Sequence, residues 1–160
     1  NAQGEYYLTD VVAALADDPA GVSAVKVDAA ETAGVNDRLQ LALAERELRA
    51  RINRAWLLEG VTMLDPRLAL IDVTVTIGRD VTIYPGAILQ GATVIGDGCE
   101  IGPDTRLTDT VVGEGSRIAN SVAEGSTIGA GARVGPYAVL TPGSSVAAGA
   151  ETGPFYTGSP

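Results

Sequence analysis

The chain has 160 residues, a formal charge of -9 at pH 7, twenty glycines, and a composition that is 46% hydrophobic but only 4% aromatic. Such an acidic balance excludes a general affinity for DNA, RNA or anionic lipid, since phosphate binding needs clustered Lys and Arg. So few rings leave aliphatic side chains and alanine to build any core, and with one cysteine, Cys99, there is no internal disulfide, which fits a reducing cytoplasm.

In chain order, Tyr7, Val11, Val12 and Leu15 recur at helical spacing, and Asp17, Asp18 and Pro19 end the pattern, so a short helix is predicted from Tyr6 to Ala16. Gly21 then opens the β-branched run Val22-Ser23-Ala24-Val25-Lys26-Val27, which is predicted as one strand. A helix and a single strand cannot close a core, so residues 1–35 are expected to be the end of a larger α/β domain. Asn36 or Asp37 can cap a following helix, because a short polar oxygen there satisfies free amides of the first turn. From Arg38 to about Glu59 there is no Gly or Pro. Glu45–Arg49 and Glu47–Arg51 are helix-favouring pairs, and Leu41, Leu48, Ile52 and Ala55 form a narrow apolar stripe. Gly60 stops the helix, and residues 36–60 read as a connecting arm. No apolar stretch approaches the length that spans a bilayer, and no hydrophobic signal core is present.

Residues 61–160 have a different character. Ile71, Ile77, Ile83, Leu89, Ile95, Ile101 and Leu107 fall every six residues; Val112 and Ile118 follow a slip; Val122, Ile128, Val134, Leu140 and Val146 resume the beat. Small residues stand four places on from these positions, at Ala87, Thr93, Cys99, Thr105, Ser116, Ser126, Ala132, Ala138 and Ser144. The pattern predicts a three-sided coil in which each hexapeptide supplies one short strand and one corner, with the aliphatics inside and stacked turns about 4.8 Å apart. Asp97-Gly98, Glu114-Gly115, Glu124-Gly125 and Ala130-Gly131 supply corners that need tight or positive-φ backbone. The slips after Leu107 and Ile118 are read as short coils or a loop. Ordinary hairpins need two-residue alternation and wider turn spacing, so they do not fit.

The repeat resembles that of the hexapeptide-repeat transferases, whose coil is a left-handed parallel β-helix; the hand comes from the family, not from the spacing. Asn1-Ala2-Gln3-Gly4-Glu5-Tyr6-Tyr7-Leu8-Thr9-Asp10 narrows the resemblance. With Gly34-Val35-Asn36-Asp37-Arg38-Leu39-Gln40-Leu41, Gly60-Val61-Thr62 and Asp65-Pro66, it is similar to the bifunctional N-acetylglucosamine-1-phosphate uridylyltransferase/glucosamine-1-phosphate acetyltransferase family. The implied fold is a left-handed parallel β-helix, preceded by a long connecting helix and the C-terminal remnant of an α/β nucleotidyltransferase domain.

The resemblance implies two activities. The β-helix domain moves acetyl from acetyl-CoA to glucosamine 1-phosphate, and the upstream domain moves UMP from UTP to the N-acetylated sugar phosphate with Mg²⁺ on the phosphates. These make UDP-N-acetylglucosamine for the cell wall in a cytoplasmic homotrimer. Asn1 corresponds to the family's metal-ligating asparagine; a neutral amide oxygen suits Mg²⁺, a hard cation. Several departures lead to the expectation that the chain is a fragment with neither active site complete. No G-x-G-x-x-G or P-loop stands near its start. The family's L-R-P-G motif appears as Leu140-Thr141-Pro142-Gly143, so a guanidinium that would hold sugar phosphate is replaced by a hydroxyl. Ser159 stands about where a lysine belongs, and the chain contains no histidine to serve as base. No catalytic or substrate-binding residue is therefore assigned. Tyr84, Tyr137 and Cys99 are read as packing residues, and Asp97, Glu114 and Glu124 as solvated corner carboxylates. The alternatives are a non-catalytic β-helix scaffold or trimerisation module, or another hexapeptide-repeat acyltransferase. Residues after Val146 are expected to be the least protected coil.

Overall fold

The computed structural model describes residues 4, 7–16, 18–158 and 160. They fall into two compact units, divided between Asn36 and Asp37. In the first, helix α1 spans Leu8–Leu15, and Asp10 accepts a hydrogen bond from the Tyr7 amide at 3.0 Å. A single 3-10 turn, Ala29–Glu31, starts where Asp28 accepts from Ala30 N. The strand predicted over 22–27 does not form: these residues have no regular secondary structure and pair with no strand, and Val25 is 82% exposed. The local pattern was strand-like, but a strand needs a neighbour for its backbone, and no other segment of this unit's described residues supplies one.

The second unit opens with helix α2, Arg38–Leu58. Asp37 caps it by accepting from Gln40 N at 2.7 Å, and Glu47 pairs with Arg51 at 2.8 Å. At its C-terminus Gly60 takes φ +94°, Gly60 N bonds Leu57 O and Val61 N bonds Trp56 O. Those two bonds are a Schellman ending, which only a residue tolerant of the left-handed region allows at low cost. The buried face differs from the expected stripe. Leu41 and Leu48 are 48% and 56% exposed and Ala55 is exposed, whereas Asn53 is 1% exposed and Ile52 and Trp56 pack on the core. Only the last turns of α2 lie on the following domain, so the burial follows what that surface offers and not the helix's own apolar stripe.

From Thr62 the chain winds into a solenoid of about five turns whose short strands are all parallel, with a 3-10 turn, Pro66–Leu68, capped by Asp65, after the first strand. One face stacks Thr62–Met63, Thr82–Ile83, Glu100–Ile101, Arg117–Ile118 and Arg133–Val134. The second stacks Leu70–Ile71, Ile88–Gln90, Arg106–Thr108, Val122–Glu124, Val139–Leu140 and Thr157–Gly158. The third stacks Thr76–Ile77, Val94–Ile95, Val111–Val112, Thr127–Ile128 and Ser145–Val146. A strand pairs with the third strand after it, as three hexapeptides per turn require, except at the end, where Val139–Leu140 pairs with Thr157–Gly158, the second strand on, and Glu151 makes only an isolated bridge to Arg133. The architecture is that of the expected β-helix and is consistent with the left-handed form.

The interior is as the six-residue beat predicts at every position but one. Ile83, Leu89, Ile95, Ile101 and Leu107 are 2% exposed or less, and Val112, Ile118, Ile128, Val134, Leu140 and Val146 are buried. Val122, however, is 45% exposed, and its neighbour Ala123, at 1%, fills the interior beneath Leu107 and above Leu140. The slips are therefore three five-residue steps, Leu107 to Val112, Ile118 to Ala123 and Ala123 to Ile128, with no inserted loop. A shorter perimeter leaves less cross-section inside, and alanine fits where a valine would be too large. The second inward column, two residues before each aliphatic, runs without interruption through Thr105, Thr110, Ser116, Ser121, Ser126 and Ala132, all buried. Its hydroxyls reach backbone carbonyls, as where Ser116 Oγ donates to Gly129 O at 2.8 Å, so polar groups are carried in the core without being left unpaired.

Candidate functional site

Where α2 leaves the solenoid, it encloses a groove of about 550 Å³ between its own Glu45, Leu48, Arg49 and Ile52 and the second face, including Leu70, Ile88 and Gln90. Its floor is aliphatic and its rim carries both signs of charge, so it is a surface cleft of mixed character with no constellation for acid-base or nucleophilic work.

The first face carries an ordered ladder of charges. Arg117 pairs with Glu100 at 3.0 Å and Arg133 with Glu151 at 3.5 Å, while Arg117 and Arg133 stand directly opposite each other on neighbouring coils. Two facing guanidiniums repel, and placing a carboxylate on the outer side of each offsets this. The other two faces carry half-exposed valines: Val94, Val111, Val122 and Val139 are each 40 to 47% exposed, and on the second face exposed Arg106 and Glu124 stand among them.

The corner carboxylates lie as the sequence suggested. Asp97, Glu114 and Glu124 are exposed, and Asp97 uses Oδ1 to accept from Arg79 N of the preceding coil at 2.9 Å. Among the described residues no group of three or more His, Cys, Asp or Glu could hold a metal ion. Asn1, the expected Mg²⁺ ligand, and Ser159 lie outside the described residues. Cys99 is fully buried, its Sγ donating to Gly113 O at 3.1 Å, and burial pushes its thiol above the ordinary range. That makes it a poor nucleophile and a packing residue, as read from its place in the repeat. Tyr84 is half-buried. Tyr137 differs: it is 57% exposed and stacks on Phe155 of the next coil, ring centroids 5.3 Å apart and 18° from parallel. The signal for this pairing was in the sequence, in the aligned Gly135-Pro136-Tyr137 and Gly153-Pro154-Phe155.

The altered motif has a clear local role. Thr141 Oγ1 donates to Gly158 O at 2.9 Å and its own carbonyl accepts from Ser144 Oγ at 2.6 Å. Its side chain ties two coils together and carries no charge. At the foot of α2, Asp65 binds Arg67 through a guanidinium contact of 2.8 Å and through the Arg67 amide, and both hold its carboxyl below the usual range.

Stacked parallel strands with aliphatics at every sixth place, broken only by five-residue steps, define a hexapeptide-repeat solenoid. Accordingly, residues 74–109 match the bacterial transferase hexapeptide (six repeats) family. The similarity is closer to one protein in particular. The chain is 51% identical over 143 residues to the bifunctional protein GlmU of Streptomyces avermitilis, and 52% identical over the same length to that of Mycolicibacterium gilvum. In both, 89% of this chain is matched, and it is homologous to a segment of these bifunctional proteins. It spans only 30% and 29% of their lengths. In outline it also resembles the acetyltransferase domain of PglB from Neisseria gonorrhoeae, solved in complex with acetyl coenzyme A. That likeness is 18% identical, covers 72% of this chain and 66% of the other, and has a TM-score of 0.42.

Proposed function

We propose that the chain is the part of a UDP-N-acetylglucosamine-synthesising enzyme that joins a uridylyltransferase domain, through the α2 arm, to the first coils of an acetyltransferase β-helix. What carries this reading is half-identity to GlmU proteins over 89% of the chain, along a segment that folds as a hexapeptide solenoid. On this reading residues 1–35 are the C-terminal remnant of the uridylyltransferase domain, 36–60 the linker and 61–160 the N-terminal coils of the β-helix.

In the whole enzyme, the amine of glucosamine 1-phosphate attacks the thioester carbonyl of acetyl-CoA. A C–N bond forms, the C–S bond breaks and CoA leaves as its thiol. A phosphate oxygen of the N-acetylated product then attacks the α-phosphorus of UTP, and pyrophosphate leaves. Mg²⁺ supplies charge neutralisation on the phosphates in that second step, and Asn1 would offer it one amide oxygen. The residues present here support structure and not chemistry. With no histidine in the chain, there is no imidazole to take the amine proton. Thr141 spends its hydroxyl on Gly158 O and leaves no cation for a sugar phosphate.

The chain alone is therefore expected to show neither UTP-dependent pyrophosphate release nor acetyl-CoA turnover; robust turnover in either assay overturns the claim of incomplete sites. A second reading, a non-catalytic scaffold or trimerisation module in the cytoplasm, draws support from the intact coil packing and from the half-exposed valines on two faces, which a neighbouring copy could cover. No helix among the described residues is long and apolar enough to cross a membrane. Sedimentation separates the outcomes: a trimer supports the module, and a monodisperse monomer speaks against it.

A further inference from the structure

In a stacked solenoid, each coil satisfies the carbonyls of the coil after it, and the first coil has no backbone before it to do so. The second face shows the rule. The carbonyls of Ala87, Thr105, Ser121, Ala138 and Tyr156 occupy one column, and they accept from the amides of Leu70, Ile88, Arg106, Val122 and Val139, one coil earlier, at 2.8 to 2.9 Å. Ala69 heads this column and is itself 1% exposed. Its carbonyl accepts from a side chain instead: Asn53 Nδ2 on α2, at 3.0 Å, while the same nitrogen donates to Pro66 O at 2.6 Å.

We infer that Asn53 is the positioning residue that keys the helical arm to the solenoid, its side-chain amide taking the place of the missing coil. Three observations fit this role together. Asn53 is the only buried residue of α2, so the contact sits where the helix meets the coil and nowhere else along its length. Both Asn53 donors are used on backbone atoms of the chain segment that begins the coil, and backbone atoms fix a register more strictly than side chains do. Asn53 Oδ1 is buried with no partner in the structure, so the residue bears a desolvation cost that an aliphatic side chain of like size would avoid. A buried amide that is kept at such a cost, on an otherwise apolar contact with Ile52 and Trp56, sets alignment in the way a lone buried asparagine sets register between packed helices.

Beyond Asn53 toward its N-terminus, α2 stands off the second face by the width of the groove, with Leu48 and Leu41 exposed. The arm is thus held at one end, and its direction depends on that end. If the arm joins two catalytic domains as proposed above, Asn53 governs their relative orientation; that consequence rests on the functional reading, whereas the geometric claim does not.

The test is a distance distribution between nitroxides at Ala42→Cys on the arm and Arg106→Cys on the second face, in a Cys99→Ala background. The chain with Asn53 is expected to give one narrow distribution. Asn53→Leu, which keeps the number and branching of side-chain heavy atoms and removes both donors, is expected to broaden or split it; a folded Asn53→Leu chain with an unchanged narrow distribution overturns the inference. Should Asn53→Leu fail to fold, Asn53→Gln retains the amide but moves it out by about 1.5 Å, one carbon–carbon bond. It is expected to shift the centre of the distribution, and an unmoved centre is equally fatal to the claim. Failure of the activity assays above bears on neither outcome.

Discussion

Gly113→Ala asks whether adjacent coils are in contact closely enough that a single methyl group separates them. Gly113 has an ordinary backbone conformation, so alanine brings no φ strain there. Its Cβ would lie 2.5 Å from Ala130 N, 2.8 Å from Ala130 Cα and 2.9 Å from Gly129 C, all backbone of the next coil. None of these atoms can rotate away. Relief requires parting the coils at this corner, which stretches the bond from Gly113 N to Ile128 O, now 2.7 Å. Overpacking a filled site costs about 1–3 kcal/mol, and loss of one such bond adds about 1 kcal/mol, so about 3 kcal/mol in all is expected. Gly98→Ala is the control, because Gly98 has φ +67° but nothing within 4 Å of a built Cβ, and only the left-handed strain of about 1–2 kcal/mol applies. Urea unfolding followed by circular dichroism gives both values. If Gly113→Ala costs no more than Gly98→Ala, the close contact between coils does not exist and the reasoning fails.

Leu107→Ala removes a fully buried side chain from the axis of the solenoid and is expected to cost about 2–5 kcal/mol, whereas Val94→Ala, on the half-exposed outer surface, should cost under about 1 kcal/mol in the same melts. The Cys99 thiol should resist modification in the folded chain and react freely in urea. Because burial raises its pKa, the unfolded chain loses this proton first, and stability should decline as pH rises above the ordinary cysteine value of about 8.5. Cys99→Ala should remove that slope, and an unchanged slope refutes the assignment. Asp65 has the opposite sign. Its folded pKa is depressed by Arg67, so its contribution is present above the ordinary carboxylate range and is lost as pH falls through the folded value; Asp65→Asn should flatten the acid limb of the stability curve, and an unaltered limb would contradict it.

Much of the fold is legible in the sequence because a solenoid repeats its instructions. Ile71 to Leu107 name the inside of the first two turns without ambiguity, and the caps of α2, Asp37 and Gly60, are local chemistry that needs no knowledge of the rest. What the sequence leaves open is what depends on a neighbour. Residues 22–27 have strand composition but no partner strand within their own unit. At Val122–Ala123 the larger β-branched residue is the outer member of the pair, and Ser116, Ser121 and Ser126, spaced by five, mark the shortened steps and point to Ala123 as the inner one. On α2, the apolar stripe through Leu41 and Leu48 misled because the helix is buried only near its end, where the surface it meets offers carbonyls and an asparagine is the residue that suits them. The candidate site was legible chiefly by what it omits: Thr141 in place of arginine and the absence of histidine were visible at once. The stacked Tyr137 and Phe155 needed the coils to be aligned before the two rings could be placed side by side.

The register through the shortened turns decides which side chains fill the interior, and disulfide trapping measures it directly. Arg106 and Val122 are paired residues on adjacent coils, both facing outward, while Ala123 faces in. In a Cys99→Ala background, Arg106→Cys with Val122→Cys should cross-link under mild oxidation, and Arg106→Cys with Ala123→Cys should not. The reverse pattern, with the Ala123 pair joined and the Val122 pair free, would put Val122 inside and contradict the coil described here.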